Sequence, residues 1–147
     1  MFNVIIGNPP YQKNDGGGLG TSAVPLYHLF VEQAISLNPD YITLITPSRW
    51  FTGGRGLDDF RDRMLNDRRL KELHDFPDAS EVFDNVEIKG GVSYFLWDKS
   101  YSGDCVVKTF VKGSCKSSLK RPLLEEGSNV FIRDKHSIHI LTHIQSL

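Results

Sequence analysis

The sequence has few cysteines, no long apolar run and little net charge, and each scarcity excludes a class of protein. Two cysteines among 147 residues, Cys105 and Cys115, are too few for a disulfide scaffold, and their spacing matches no zinc-binding pattern. We expect both thiols to be reduced. No apolar stretch approaches membrane-spanning length, and the first residues lack the order of a signal peptide. These absences predict a cytoplasmic protein without a membrane partner.

The residues that are present are sufficient for one globular domain with a buried core. Hydrophobic residues make up 39% of the chain and include nine phenylalanines, a composition unlike that of disordered segments. Hydrophobic periodicity predicts helices at 25–37 and 57–65 and strands at 2–6, 41–46, 70–76, 92–97 and 106–111. The alternation of strands and helices indicates an α/β fold. In the first helix, the apolar face is expected to include Leu29, Phe30 and Ala34.

One stretch of the chain is strongly basic although the net charge is only −1. It carries five bases and no acid: Lys108, Lys112, Lys116, Lys120 and Arg121, which we name the basic strip. The rest of the chain has 17 − 5 = 12 bases against 18 acids, a balance of −6. Such a local excess of positive charge predicts a surface for a polyanion. A solvated lysine loop is the alternative.

An apolar segment at residues 2–6 ends in glycine and is followed by Asn8-Pro9-Pro10-Tyr11. The segment predicts a buried parallel strand, and open α/β sheets bind ligands at the carboxyl ends of such strands. Asn8 and Pro9 each precede a proline, so both are kept out of the helical region. We therefore expect two fixed hydrogen-bond acceptors beside the flat ring of Tyr11, which suits a planar ring that bears an amine. A proline turn that closes an ordinary strand is the alternative.

This motif resembles that of the amino-group DNA methyltransferases, above all the adenine-N6 enzymes with an Eco57I-type or TaqI-type catalytic domain. The resemblance covers about the first hundred residues. Three further matches occur in the family's order: a Leu-Tyr helix start within Pro25–Glu32, a strand and Pro-x-x-Trp turn at Ile45–Phe51, and the segment that brings a second aromatic ring to the base, Glu81–Phe83 with Gly90–Ser93.

The resemblance implies a partial doubly wound, Rossmann-like methyltransferase sheet, namely its C-terminal half with a reversed final strand at 92–97. Residues 1–112 would be the C-terminal half of a catalytic domain. Residues 113–147 would be a basic linker and helical tail that begins a further region. The family's cofactor-binding half precedes the motif and has no counterpart in this sequence. We therefore expect a piece of a longer enzyme, or a truncated product, that is inactive alone.

The resemblance also implies the chemistry of the complete enzyme. S-adenosylmethionine would donate a methyl group to an adenine that is flipped out of double-stranded DNA, as part of a restriction-modification system. Asn8, Pro9, Pro10 and Tyr11 would form the catalytic motif, and Tyr11 and Phe83 would stack on the target base. A core role is the alternative for Phe83. The basic strip would contact the DNA backbone.

Two other functions remain open at this point. One is a protein-glutamine or RNA methyltransferase, since such enzymes also carry motifs like Asn-Pro-Pro-Tyr. The other is a non-catalytic remnant that binds DNA or serves in assembly. The expected partners are double-stranded DNA and the missing N-terminal cofactor-binding half. Because the first strand is expected at a sheet edge, we also predict self-association or coverage of that edge by the chain's own tail.

Two remaining features indicate less. His136, His139 and His143 share one face of a predicted helix, but no acidic or cysteine partner accompanies them, so we expect a polar helix face and no metal. The glycine-rich segment 15–21 lacks the spacing of a dinucleotide-binding fingerprint. It is expected to be a linker or a flap over the site.

Overall fold

The computed structural model describes residues 2–14 and 23–147. The glycine-rich segment 15–21 lies outside the described residues. In chain order, the elements are β1 (Val4–Gly7), β2 (Gln12–Asn14), β3 (Ala23–Pro25), α1 (Tyr27–Ser36), β4 (Tyr41–Pro47), α2 (Asp58–Asn66), β5 (Leu70–Phe76), β6 (Val92–Asp98), β7 (Cys105–Val111), β8 (Ser114–Arg121) and α3 (Lys135–Gln145). Short 3-10 helices at Ser48–Phe51 and Ala79–Glu81 follow β4 and β5.

Six strands form one mixed sheet in the order β1-β4-β6-β5-β7-β8, and β2 pairs with β3 separately. The pairs β1–β4 and β5–β7 are parallel, whereas β6 runs antiparallel to both of its neighbours, β4 and β5. The carboxyl ends of β1, β4, β5 and β7 therefore meet along one side of the sheet. The predicted reversal of strand 92–97 and the edge position of the first strand are confirmed.

Two glycines allow the chain to reverse into β6. Gly90 and Gly91 both have positive φ, 90° and 83°. A Cβ atom on Gly91 would lie 2.1 Å from the carbonyl oxygen of Phe76 and 2.7 Å from the backbone of Pro77. Only glycine fits there. The carbonyl of Gly91 in turn accepts a hydrogen bond from the backbone N–H of Ser48, which joins the start of β6 to the end of β4.

Helices α1 and α2 pack on one face of the sheet. In α2, Phe60, Met64 and Leu65 are buried, as the sequence predicts. In α1 the predicted apolar face is correct for Ala34, which is buried, but wrong for Leu29 and Phe30, which are 52% and 46% exposed. The buried row is instead Tyr27, Val31 and Ala34. Both rows have helical spacing, and the packing of Tyr27 against Phe60, with ring centroids 6.3 Å apart, selects the second.

Strand β1 is only half covered, which corrects the prediction of a fully buried strand. Ile5 packs against the core, whereas Val4 and Ile6 on the other face are 57% and 77% exposed. Successive side chains of a strand point to opposite faces, and the described helices α1 and α2 cover one of them. The fold is therefore a mixed α/β sheet, and its doubly wound form stays a prediction. No helix in the described ranges combines the length and apolarity needed to cross a bilayer.

The C-terminal segment is more integrated than a linker. Residues 114–121 form β8 because they turn back on β7 in a hairpin, which corrects the expected linker at its start. Leu123 and Phe131 are buried in the core, with the Phe131 ring 4.6 Å from that of Phe51. The tail thus packs beside the turn after β4. It does not cover Val4 or Ile6 on β1, which corrects one of the two expectations for that edge. The boundary between residues 112 and 113 stays a prediction.

Candidate functional site

A cleft of about 810 Å³ opens at the carboxyl ends of the parallel strands. Its walls come from the segments after β1, β4 and β5 and from the start of α1. The lining residues are Asn8, Pro9, Pro10, Tyr11, Gln12, Ala23, Pro25, Tyr27, Pro47, Arg49, Arg55, Phe83, Val86, Glu87, Ile88 and Lys89. Its volume lies within the range of small-molecule binding sites, roughly 300–1,000 Å³. All four residues of the Asn-Pro-Pro-Tyr motif line this cleft.

The motif presents its polar group to the cleft and anchors itself with a proline. Asn8 is exposed, Pro9 is buried and Pro10 is exposed. Among the described residues, none forms a hydrogen bond with the Asn8 amide. The backbone after the motif is fixed as well, because the carbonyl of Tyr11 accepts a hydrogen bond from the N–H of Leu26. Asn8 is thus held by a stiff backbone, and within the described ranges its amide remains available to a ligand.

Tyr11 and Phe83 meet at the cleft although they are distant in sequence. Their ring centroids are 6.5 Å apart and their planes are inclined at 65°, an edge contact. A base stacked between two parallel rings needs about 3.5 Å on each side, or about 7 Å in all. The distance between the two ring centroids is therefore close to 7 Å, but the rings are not parallel. One ring would have to rotate before a base could stack between them. The predicted stacking roles stay predictions.

Burial controls the ionisation of the two tyrosines in the cleft wall. Desolvation raises the pKa of Tyr11 to about 12 and also raises the pKa of Tyr27, whereas the positive charge of nearby Arg49 acts in the opposite direction on Tyr27. Both phenols are consequently neutral near pH 7. Tyr11 lines the cleft, while its hydroxyl oxygen is buried and has no hydrogen-bond partner within the described residues.

The segment that carries Phe83 is held by hydrogen bonds at residues 78–83. Phe83 donates its backbone N–H to the carbonyl of Ala79 at 2.9 Å, and the Asp78 carboxylate accepts from Ser80. Beside them, the Glu81 carboxylate accepts hydrogen bonds from the backbone N–H groups of Lys112 and Gly113, at the tip of the β7–β8 hairpin. The position of Phe83 is therefore tied to that hairpin.

A buried polar cluster supports the other wall of the cleft. Asp75, at the end of β5, is 1% exposed and accepts a hydrogen bond from the Ser48 hydroxyl at 3.0 Å. Arg133 binds the same carboxylate and also donates to the carbonyl of Gly90. This cluster joins the segments that carry Arg49 and Lys89.

The structure divides the basic strip between two environments. Arg121 is only 6% exposed and is paired with Glu125 at 3.3 Å, so its guanidinium is turned inward and away from any surface ligand. Lys112, Lys116 and Lys120 are exposed and Lys108 is half-buried. Lys112 lies at the hairpin tip on the side of the cleft, whereas Lys120 lies at the far end of β8. The four lysines remain candidates for contact with a DNA backbone.

Three cations in the cleft wall were missed from the sequence. Arg49 follows β4 directly, Arg55 lies in the turn before α2, and Lys89 precedes the glycine pair that begins β6. None belongs to a run of bases, so local charge density gives no signal for them. The available signals were the position of Arg49 just after a strand and the three glycines around Arg55.

The three histidines of the predicted polar face lie on α3 and are exposed. Ile140 and Ile144 on the same helix are also exposed, 61% and 60%, so that helix does not bury the apolar face expected for it. Within residues 2–14 and 23–147, no group of three or more histidine, cysteine, aspartate or glutamate side chains has a metal-binding arrangement.

Comparison with known proteins adds to this geometry. Residues 1–83 match the model of a family described as Eco57I restriction-modification methylase. A Mycoplasma pneumoniae protein described as an uncharacterized adenine-specific methylase is 35% identical over 99% of this chain. The type II methyltransferase M.PstI of Providencia stuartii is 30% identical over 98% of the chain. The solved methyltransferase subunit of a type I restriction-modification system from Streptococcus thermophilus aligns over 99% of the chain, with a TM-score of 0.55 and 14% identity, and supports the fold alone.

This chain covers less than half of the length of each of these relatives. This chain spans 37% of the Mycoplasma protein, 31% of the Providencia enzyme and 31% of the solved subunit. The family match itself covers β1 to the loop of Phe83, so it includes the Asn-Pro-Pro-Tyr motif and most of the cleft wall.

Proposed function

The chain belongs to the Eco57I restriction-modification methylase family, and on that premise we propose that its cleft is the target-base site of a DNA methyltransferase that modifies adenine at N6. The methyl donor is S-adenosylmethionine, and the adenine enters the cleft flipped out of double-stranded DNA. The enzyme serves a restriction-modification system. The basic strip lysines contact the DNA backbone beyond the cleft.

One observation carries this proposal. The motif Asn8–Tyr11 ends β1 with an exposed amide, and the fold brings the ring of Phe83 to within 6.5 Å of Tyr11 in the same cleft. Hydrogen-bond acceptors and aromatic faces in one concave site match the two demands of a flipped adenine, which has an exocyclic amine and a flat ring. An ordinary proline turn does not account for the second aromatic ring.

Asn8 and Pro9 act on the amine. The lone pair of adenine N6 is delocalised into the ring, so the nitrogen is a weak nucleophile. Acceptance of its hydrogens by the Asn8 side-chain oxygen and the Pro9 carbonyl favours a tetrahedral nitrogen. Because the motif is stiff, these dipoles act on the developing charge without reorganisation. Tyr11 and Phe83 hold the ring of the base, and such stacking contributes on the order of 1–3 kcal/mol per base.

The described residues fit one end of the cofactor. The cleft that Asn8–Tyr11 line has a volume of about 810 Å³, which is large enough for a base and a methyl group. In the described part of the lining, Glu87 is the one carboxylate that could bond ribose hydroxyls. When bound, S-adenosylmethionine would supply a methyl group on a cationic sulfur, and Asn8 and Pro9 would hold the amine that receives it.

The exposed apolar residues near β1 support a large partner for this part of the fold. Val4 and Ile6 on β1, Leu29 and Phe30 on α1, and Leu37 just after α1 are all at least 45% exposed. The outer side of β1 has no strand partner among the described residues. An open apolar edge invites pairing. A cofactor-binding half of the same enzyme would cover it, and self-association is the competing outcome.

A transfer assay tests the proposed activity. The intact protein that carries this chain is incubated with tritiated S-adenosylmethionine and, separately, with duplex DNA, structured RNA and glutamine-containing peptides. The proposal predicts label in DNA alone. Label in RNA or peptide would assign the protein to one of the other methyltransferase classes, and DNA binding without any label would indicate a non-catalytic remnant.

A matched assay on residues 1–147 alone tests the expectation that this part is inactive. Apart from Glu87, the described lining offers no carboxylate to hold the rest of the cofactor, and positioning is a large part of what such a site contributes. Turnover by residues 1–147 alone would contradict that expectation.

A further inference from the structure

We propose that Arg49, Arg55 and Lys89 form a phosphate-binding rim around the cleft and grip the nucleic-acid backbone on either side of the inserted nucleotide. The inference rests on the proposed function and adds to it the residues that hold the strand at the cleft. All three side chains line the cleft. They come from three separate segments, the turn after β4, the turn before α2 and the loop before β6.

The two arginines of the rim differ from the other arginines in their ion pairs. The sequence has eight arginines, all within the described ranges. Six of them are ion-paired with a carboxylate: Arg61, Arg63, Arg68, Arg69, Arg121 and Arg133. The two without such a pair among the described residues are Arg49 and Arg55, and both line the cleft. A guanidinium without a carboxylate partner keeps its donor fork for an external anion.

Lys89 completes the rim from the opposite loop. It is exposed, and no carboxylate within the described ranges pairs with it. Its neighbour Gly90 is fixed by the hydrogen bond that Arg133 donates to the Gly90 carbonyl. The ammonium group is thus attached to a firmly held backbone. One acidic residue, Glu87, shares the lining, so the described rim has an excess of positive charge.

The backbone at Arg55 gives an independent reason to look for a ligand. Arg55 has a φ of 51° and is flanked by Gly54 and Gly56, with φ of 80° and 79°. Left-handed backbone is unfavourable for a residue with a Cβ atom, so glycine would be the natural choice in a turn of this shape. Strained residues of this kind cluster at ligand-binding sites. Arginine occupies the position with its side chain on the cleft.

The chemistry of the rim favours phosphates. The three cations approach from three segments around one opening, an arrangement that suits several negative charges along a strand better than a single carboxylate. Phosphate contacts of this kind fix the position of the strand without reading its sequence. The three residues of the rim line the cleft, whereas within the described lining no lysine of the basic strip does so.

The test is the salt dependence of duplex binding by the intact protein, measured by fluorescence anisotropy. The variants are Arg49→Gln, Lys89→Gln and Arg55→Gly. The last removes the guanidinium while glycine retains the left-handed turn. Lys99→Gln is the matched control, because Lys99 pairs with Asp40 at the opposite end of the sheet. Each phosphate contact that is lost reduces the slope of log K against log salt by about 0.9.

We expect each rim variant to bind more weakly with a slope lower by about 0.9, and Lys99→Gln to keep the original slope. Unchanged slopes in all three rim variants would overturn the rim, even if the unaltered protein methylates DNA. Lowered slopes together with an absence of methylation by the unaltered protein would retain the rim and reject the proposed activity. Failure of the unaltered protein to bind duplex DNA would overturn both.

Discussion

The guanidinium of Arg133 is bonded to the buried carboxylate of Asp75, which lies 58 residues earlier in the chain. The Nη2–Oδ1 distance is 2.8 Å, and Nε donates to the other carboxylate oxygen, so the contact is bidentate. The same guanidinium donates to the carbonyl of Gly90 and lies 5.4 Å from the centre of the Phe51 ring. One side chain from the tail thus connects three segments next to the cleft.

Arg133→Ala should destabilise the fold by about 3 kcal/mol, because removal of one partner leaves the other charge buried and uncompensated. Asp75 is 1% exposed, and Ser48 would be its remaining hydrogen-bond donor among the described residues. Urea unfolding followed by circular dichroism measures the change.

Arg68→Ala is the matched control for that experiment. Its partner Asp104 is 3.1 Å away, but both side chains are well exposed, so the loss should be at most about 1 kcal/mol. The double variant Arg133→Ala with Asp75→Ala should recover part of the stability, since no uncompensated charge remains. Equal losses for Arg133→Ala and Arg68→Ala would show that the tail is not clamped to the sheet.

The two cysteines should react with thiol reagents at very different rates. Burial raises the pKa of the Cys105 thiol to about 12, whereas Cys115 on β8 is exposed. The thiolate is the reactive form, so Cys105 should stay unmodified in the folded protein. Titration with a chromogenic disulfide at pH 8 should give one fast thiol, and a second only in denaturant. Cys115→Ser should abolish the fast phase. Two fast thiols would mean that β7 is not in the core.

Much of the fold can be predicted from sequence patterns, because each pattern depends on a few neighbouring residues. The α2 face of Phe60, Met64 and Leu65 was predicted in this way, whereas the reversal of β6 was predicted from the resemblance to the family. The buried face of α1 was not, because two rows of apolar residues have helical spacing and only the contact of Tyr27 with Phe60 selects between them. Strand β8 was taken for a linker, because its lysines and serines carry no apolar alternation and its pairing with β7 supplies the structure.

The residues of the candidate site also divide into those that a local motif predicts and those that only the fold brings together. The motif Asn8–Tyr11 was recognisable because four consecutive residues carry it, and Phe83 because of its resemblance to a family segment. Arg49, Arg55 and Lys89 were missed because their shared cleft exists only in three dimensions. The Arg133–Asp75 contact was missed for the same reason, since neither residue has a motif around it. Arg121, in contrast, was included by charge density and proved to be buried.

Phe83→Ala should impair the capture of the flipped base more than the binding of the duplex. Loss of one stacking face costs on the order of 1–3 kcal/mol. The reduced methylation should be partly restored when the target adenine is mispaired, because less energy is then needed to unstack it. Ile140→Ala is the control, since Ile140 is exposed on α3 and does not line the cleft. No rescue by a mispair would favour a purely structural role for Phe83.

The stability of the protein should fall in acid partly through Asp67. Although burial acts to raise the pKa of Asp67, hydrogen bonds from Arg69 and from the Trp97 indole lower it below the usual value. A carboxylate whose pKa is depressed on folding adds stability above its unfolded pKa, about 3.9. That contribution is lost as the pH falls through the folded value.

Asp67→Asn should therefore remove part of the decline in unfolding free energy between about pH 5 and pH 2. Asp84→Asn, at an exposed loop position, is the control and should leave the decline intact. Denaturant unfolding at a series of pH values measures both. Parallel curves for the unaltered protein and Asp67→Asn would contradict the assignment.

We propose that adenine N6 is methylated while the Asn8 side-chain oxygen accepts a hydrogen of that amine. Nucleoside mass spectrometry tests this claim most directly. The intact protein is incubated with duplex DNA and S-adenosylmethionine, and the DNA is digested to nucleosides. We expect N6-methyladenine from the unaltered protein and from the control Asn129→Ala, because Asn129 is exposed and does not line the cleft. For Asn8→Ala, we expect a rate lower by about 10²–10³ with unchanged duplex affinity, because a pre-aimed dipole acts mainly in the transition state. Methylcytosine as the product, or an undiminished rate for Asn8→Ala, would contradict the claim.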